Sequence, residues 1–164
     1  MVQEFMVEEV VSREPDARER TGKILLPGLT ALAFAAGLFF PPLWFLALAL
    51  GVAAFLFLRR TDAEYEYTFF DGVLDVAAVY GKARRKELLT ARVSDASFYG
   101  PADSDGARRR LAGPGVKPWQ CHSGRPGAAV YLLAFRGTKG EEYLLFEPGE
   151  ELRKAMARHL PRGL

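Results

Sequence analysis

The residues with the best claim to chemistry are the neighbouring pair Cys121-His122, a second histidine, His159, and a scatter of carboxylates. A thiol–imidazole nucleophile needs both groups on one side of the chain, and neighbours in an extended segment point apart. Acid–base work needs paired carboxylates or a positioned histidine. Asp71 precedes Gly72 as a turn residue, Asp75 suits the exposed side of a strand, and Asp103 and Asp105 fall in a Gly/Ser-rich stretch. His159 suits the C-terminal turn of a helix, where its positive form meets the negative end of the dipole. One cysteine and two histidines are too few for a closed Cys/His zinc site, and no phosphate loop, dinucleotide fingerprint or His-x-x-x-His is present. These patterns point away from an enzyme and call for neither cofactor nor metal. The lone thiol has no internal disulfide partner, which fits a reducing compartment.

Binding chemistry is better represented. Lys82, Arg84, Arg85 and Lys86 place four positive charges in five residues, and Arg108, Arg109 and Arg110 add a second cluster. Near a membrane each such charge attracts anionic headgroups by about 1 kcal/mol. The competing reading of both clusters is a solvated surface. Nucleic acid is a poorer partner, because residues 59–164 carry eighteen bases against fourteen acids and show no recurring basic–aromatic stripe.

The elements that must carry these charges divide the 164 residues into two materials. Residues 24–58 hold no Asp, Glu, Lys, Arg or His, while the flanks are richly charged. As one helix, thirty-five residues would reach about 52 Å against a hydrocarbon core of roughly 30 Å. Pro41-Pro42 at the midpoint removes two amide donors and lets the chain turn. The expectation is a transmembrane helical hairpin, 24–40 and 43–58, slightly short for a bilayer. Arg18, Arg20 and Lys23 before it and Arg59 and Arg60 after it, with no base at the turn, put both ends in the cytoplasm by the positive-inside rule, with Trp44 at the far interface. A cleaved signal peptide, a buried hairpin and a re-entrant hairpin that never crosses are the other readings. Residues 1–23 form a cytoplasmic segment in which Val2, Phe5, Met6 and Val10 suggest a short amphipathic helix.

From residue 59 onward the chain reads as a cytoplasmic β domain. Tyr65, Tyr67 and Phe69 alternate with polar residues, Asp71-Gly72 marks a tight hairpin, and Val73–Tyr80 is the return strand. Strands over 83–90 and 91–99 continue an antiparallel meander. Residues 100–127 read as a long loop with one short strand near Trp119. A second hairpin spans 129–136 and 141–147 around Gly137-Thr138-Lys139-Gly140. A final helix opens at Pro148-Gly149-Glu150-Glu151 and carries Leu152, Ala155, Met156 and Leu160 on one stripe. Six or seven antiparallel strands closed by one C-terminal helix is the order of a PH-like barrel, making the chain an α+β membrane protein.

The run from Glu64 to Val76, the segment from Tyr80 to Leu89, and Phe146-Glu147-Pro148 ahead of the last helix together resemble an uncharacterised family of small bacterial membrane proteins with two spans and a PH-like β domain. The resemblance covers nearly the whole chain and implies a topology without implying a reaction. The function expected is a non-catalytic, membrane-tethered interaction module at the inner leaflet of the cell membrane, binding a protein, a peptide or an anionic lipid surface. The alternative is an accessory subunit of a larger membrane complex, packed on partner helices through Gly28, Ala31, Ala35 and Gly51.

Overall fold

A computed structural model describes residues 6–137 and 140–163. Among them are eight strands, four α-helices and one 3-10 turn. The chain begins with strand β1 (Val7–Ser12), then the long helices α1 (Ala17–Gly37) and α2 (Leu43–Thr61). Strands β2 (Ala63–Phe70), β3 (Val73–Tyr80) and β4 (Arg84–Arg92) follow. β1 pairs antiparallel with β2, Ser12 opposite Glu64, and the first sheet has the order β1-β2-β3-β4. The helix pair is therefore an insertion in the β1–β2 connection.

The second sheet, of order β5-β7-β8-β6, is built from β5 (Ala96–Pro101), β6 (Trp119–Cys121), β7 (Tyr131–Gly137) and β8 (Gly140–Phe146). β6 runs parallel to β8, whereas β5–β7 and β7–β8 are antiparallel. Helix α3 (Asp105–Leu111) lies between β5 and β6, and α4 (Glu150–Ala157) ends the fold. The chain forms two compact units: residues 14–63 with 80–84, and the remainder, which contains both sheets.

The sheet unit is organised by alternation. Tyr67, Phe69, Leu74 and Val76 from the first sheet meet Leu133, Phe135, Leu144 and Phe146 from the second in one core. Leu152 and Met156, four residues apart on one stripe of α4, are fully buried in it. The β2–β3 connection is a two-residue hairpin with positive φ at Asp71 (46°) and Gly72 (77°), and in the three-residue β3–β4 connection a turn closed by Ala83 N to Tyr80 O has positive φ at Gly81 (56°) and Lys82 (57°). That is the type I′ requirement, which matches the twist of the flanking strands.

Four expectations are corrected. First, the transmembrane hairpin does not stand: among the described residues no helix is long and apolar enough to cross a membrane. The first four turns of α1 include Arg18, Glu19, Arg20, Lys23 and Pro27, and Leu38–Phe40 lie beyond its end, so its uncharged part is only Ile24–Gly37. The uncharged part of α2 ends at Leu58. Fourteen and sixteen residues rise about 21 and 24 Å at 1.5 Å each, below the roughly 20 residues that a span requires. Second, the multi-pass location in the cell membrane with both ends cytoplasmic falls with the spans, since the positive-inside rule then has nothing to orient. Third, the seven strands of residues 59–164 do not make one antiparallel meander: with β1 they form two sheets, and β6 runs parallel to β8, because the chain turns through a 3-10 segment (Val93–Asp95) and changes sheet between β4 and β5. Fourth, Val7–Ser12 is a strand with alternating exposure, not a helix; Val2 and Phe5 lie outside the described residues.

Candidate functional site: the helix pair and its basic base

Helices α1 and α2 pack antiparallel. Near one end Gly22 faces Phe57, where an added Cβ would stand 2.8 Å from the ring; near the other Gly37 faces Trp44, where it would stand 1.9 Å away. The seam between is made of small residues. Ala47 and Ala54 are buried, and a Cβ on Gly51 would lie 3.5 Å from Thr30. The large apolar side chains point the other way: fifteen of the nineteen large hydrophobics exposed among the described residues belong to positions 24–56. Phe39 is 92% exposed, Phe45 81% and Ile24 78%. A helix pair stabilised by water would reverse this arrangement, with Leu and Phe in the seam. Small residues inside and bulky apolar residues outside is how helices pack when the surroundings are themselves apolar.

The base of the pair is charged. Asp16 and Glu19 form a capping box at the start of α1, Arg20 pairs with Glu14 at 2.9 Å, and Lys23 Nζ reaches Asp62 Oδ1 at 2.6 Å. Arg59 lies over the Phe55 ring one turn back, 4.6 Å from its centroid. The β3–β4 turn is tied to this end: Gly81 N donates to Asp62 O at 2.8 Å, and a Cβ at Gly81 would lie 3.6 Å from Arg59 O.

Of the basic residues singled out in the sequence, Lys82 and Arg84 belong to the helix-pair unit and are exposed, with no ion pair among the described residues. Arg85 and Lys86 belong to the sheet unit, and Arg85 is engaged by Glu66 at 2.9 Å. Arg84 and Lys86 point to the strand face opposite Arg85. The triplet on α3 is likewise divided, since successive helical residues point about 100° apart. Arg110 turns inward onto Phe98 (5.1 Å), donates to Ser97 O (3.3 Å) and approaches Glu141 (3.6 Å), while Arg108 and Arg109 are exposed. Gly28, Ala31 and Ala35 are exposed on α1, whereas Gly51 lies in the seam.

In the sheet unit the polar groups serve the fold. Tyr67 donates to Cys121 O and accepts from Glu147 N (3.3 Å), tying the two sheets together; burial raises its hydroxyl pKa. Burial also pushes the Cys121 thiol up to about 12, so it is a poor nucleophile. His122 sits beside it with its pKa lowered by burial, and its Nδ1 accepts from Gly124 N at 3.1 Å rather than meeting the thiol. Glu9 on β1 caps α4 from outside the helix, accepting from Gly149 N (2.7 Å) and Leu152 N (3.3 Å). No group of three or more His, Cys, Asp or Glu is placed to hold a metal among the described residues. In the amino-terminal half of the expected loop 100–127 the missed feature is α3, announced by Ser104, whose hydroxyl accepts from Ala107 N at 3.3 Å.

Two sheets enclosing one core, with a helix across the end, define a PH-like domain. The chain belongs to the bacterial PH-like domain family DUF6106, whose model matches residues 3–164. PH-like domains are in general non-catalytic interaction modules. No curated protein and no solved structure matches the chain.

Proposed function

We propose that this protein is a PH-like interaction module tethered to a lipid surface by its helix pair, which enters the lipid without crossing it. The observation that carries the reading is the inverted packing of α1 and α2: a seam of Ala47, Gly51 and Ala54 within, and bulky apolar side chains facing out along both helices and over the tip Leu38-Phe39-Phe40. Uncharged helical runs of fourteen and sixteen residues suit an element that dips into a bilayer. Each exposed Leu, Ile, Phe or Val gains roughly 0.3–0.6 kcal/mol in lipid, so the outer face supplies several kcal/mol toward insertion. The helix pair is inserted in the chain between β1 and β2, which pair with each other.

The test uses the full chain and vesicle flotation. Phe39→Asp with Phe40→Asp, both exposed at the tip, abolishes flotation and leaves the unfolding temperature of the protein unchanged. Unchanged flotation of this double variant would overturn the reading. Recovery of the wild type from cells only in a fixed ratio with another protein, with no flotation on protein-free vesicles, would favour a subunit of a larger complex.

A further inference from the structure

Resting on the insertion reading, we propose that the lipid taken is anionic and that Lys82, with Arg59 and Arg84, forms the contact that selects it. The helix-pair unit holds seven bases and four acids, and the acids are engaged within the described structure. Asp62 takes Lys23, Glu14 takes Arg20, and Asp16 with Glu19 closes the cap of α1. Lys82 and Arg84 are left exposed without a carboxylate among the described residues, and Arg59 is exposed over the face of Phe55.

Position is the second argument. The apolar surface runs from Ile24 to Leu58 with no charge in between, so the basic residues stand at the one end of the pair where an inserted hairpin meets the headgroups. The turn carrying Lys82 is not free to move away, since Gly81 N is bonded to Asp62 O immediately beyond the end of α2. Lys82 holds φ +57° in a type I′ turn closed by Ala83 N to Tyr80 O (3.2 Å), a position that glycine occupies without strain. A lysine there costs stability, and what it contributes in return is a charge held at the base of the hairpin.

The experiment compares flotation of the full chain on vesicles of phosphatidylcholine alone and of phosphatidylcholine with 30% phosphatidylglycerol as probe. Variants are Lys82→Gly, which relieves the turn, Lys82→Arg, which keeps the charge, and Lys82→Gly with Arg84→Gln. The wild type partitions more strongly to the anionic vesicles, and the preference shrinks as salt is raised. Each charge removed lowers binding to anionic vesicles about fivefold, leaves neutral vesicles unaffected, and Lys82→Arg binds as the wild type does. Equal partition of the wild type between the two vesicle types, or a Lys82→Gly/Arg84→Gln variant that keeps full preference, overturns the headgroup contact while leaving insertion intact. Absence of binding to either vesicle overturns insertion itself, and the headgroup contact with it.

Discussion

At the scale of single residues, groups that look reactive in the sequence are turned to structural use. Cys121 and His122 are adjacent, yet the thiol is buried and the imidazole accepts from Gly124 N. The consequences are titrations. The thiol pKa rises on folding from an ordinary 9.0 to about 12, so its stabilising contribution is complete below about pH 9 and is lost as pH climbs toward 12. Denaturant midpoints should therefore fall across that alkaline window in the wild type and fall less in Cys121→Ala. His122 has the opposite sign: its folded pKa lies below 6.5, so its contribution is present above pH 6.5 and lost as pH falls through the lower value. His122→Asn should flatten the acid side of the stability profile. Glu9 gives a third expectation. Its carboxylate accepts from two orphan amides of α4, so Glu9→Ala should cost about 1–2 kcal/mol by chemical denaturation and Glu9→Gln less.

At the scale of elements, patterns with a strong local cause were legible. Alternation at Tyr65, Tyr67 and Phe69, and the Asp71-Gly72 turn, mark β2 and β3, with β3 at Val73–Tyr80 as read. The stripe Leu152, Ala155, Met156 marks α4. What misled was context. Val7–Ser12 has the spacing of both a helix and a strand, and only its pairing with β2 decides. Helix α3 hid among glycines because Gly106 in its first turn weakens the propensity signal. The parallel pairing of β6 with β8 joins residues over twenty positions apart, beyond any local pattern. The apolar run was read as a transmembrane hairpin, but the helices in it are too short in their apolar parts to span, since Leu38–Phe40 fall outside α1. For the pair itself, Gly37 is the tightest point: a side chain there must displace Trp44. Gly37→Val should lower stability of the helix pair by roughly 1–3 kcal/mol, read as lost helical circular dichroism at an earlier temperature.

At the scale of the whole chain, a PH-like fold carries a helix pair whose exterior is more apolar than its seam. In the sequence, the family resemblance pointed to the PH-like domain, while the apolar run was read as two membrane spans that its helices are too short to make, and the division of the basic clusters between engaged and free residues needed the fold. Arg85 and Arg110 are held by Glu66 and by Phe98 with Glu141, and neither partner is a sequence neighbour. The central claim is that the outer face of α1 and α2 meets lipid without passing through it. Trp44, 48% exposed beside the tip, reports on that directly. In a Trp119→Phe background, Trp44 fluorescence is measured on vesicles whose acyl chains carry bromine at graded depths, with an impermeant quencher sealed inside or added outside. Insertion without crossing predicts quenching by acyl-chain bromine and none by the luminal quencher; quenching by the luminal reagent, or indifference to bromine at every depth, would contradict it.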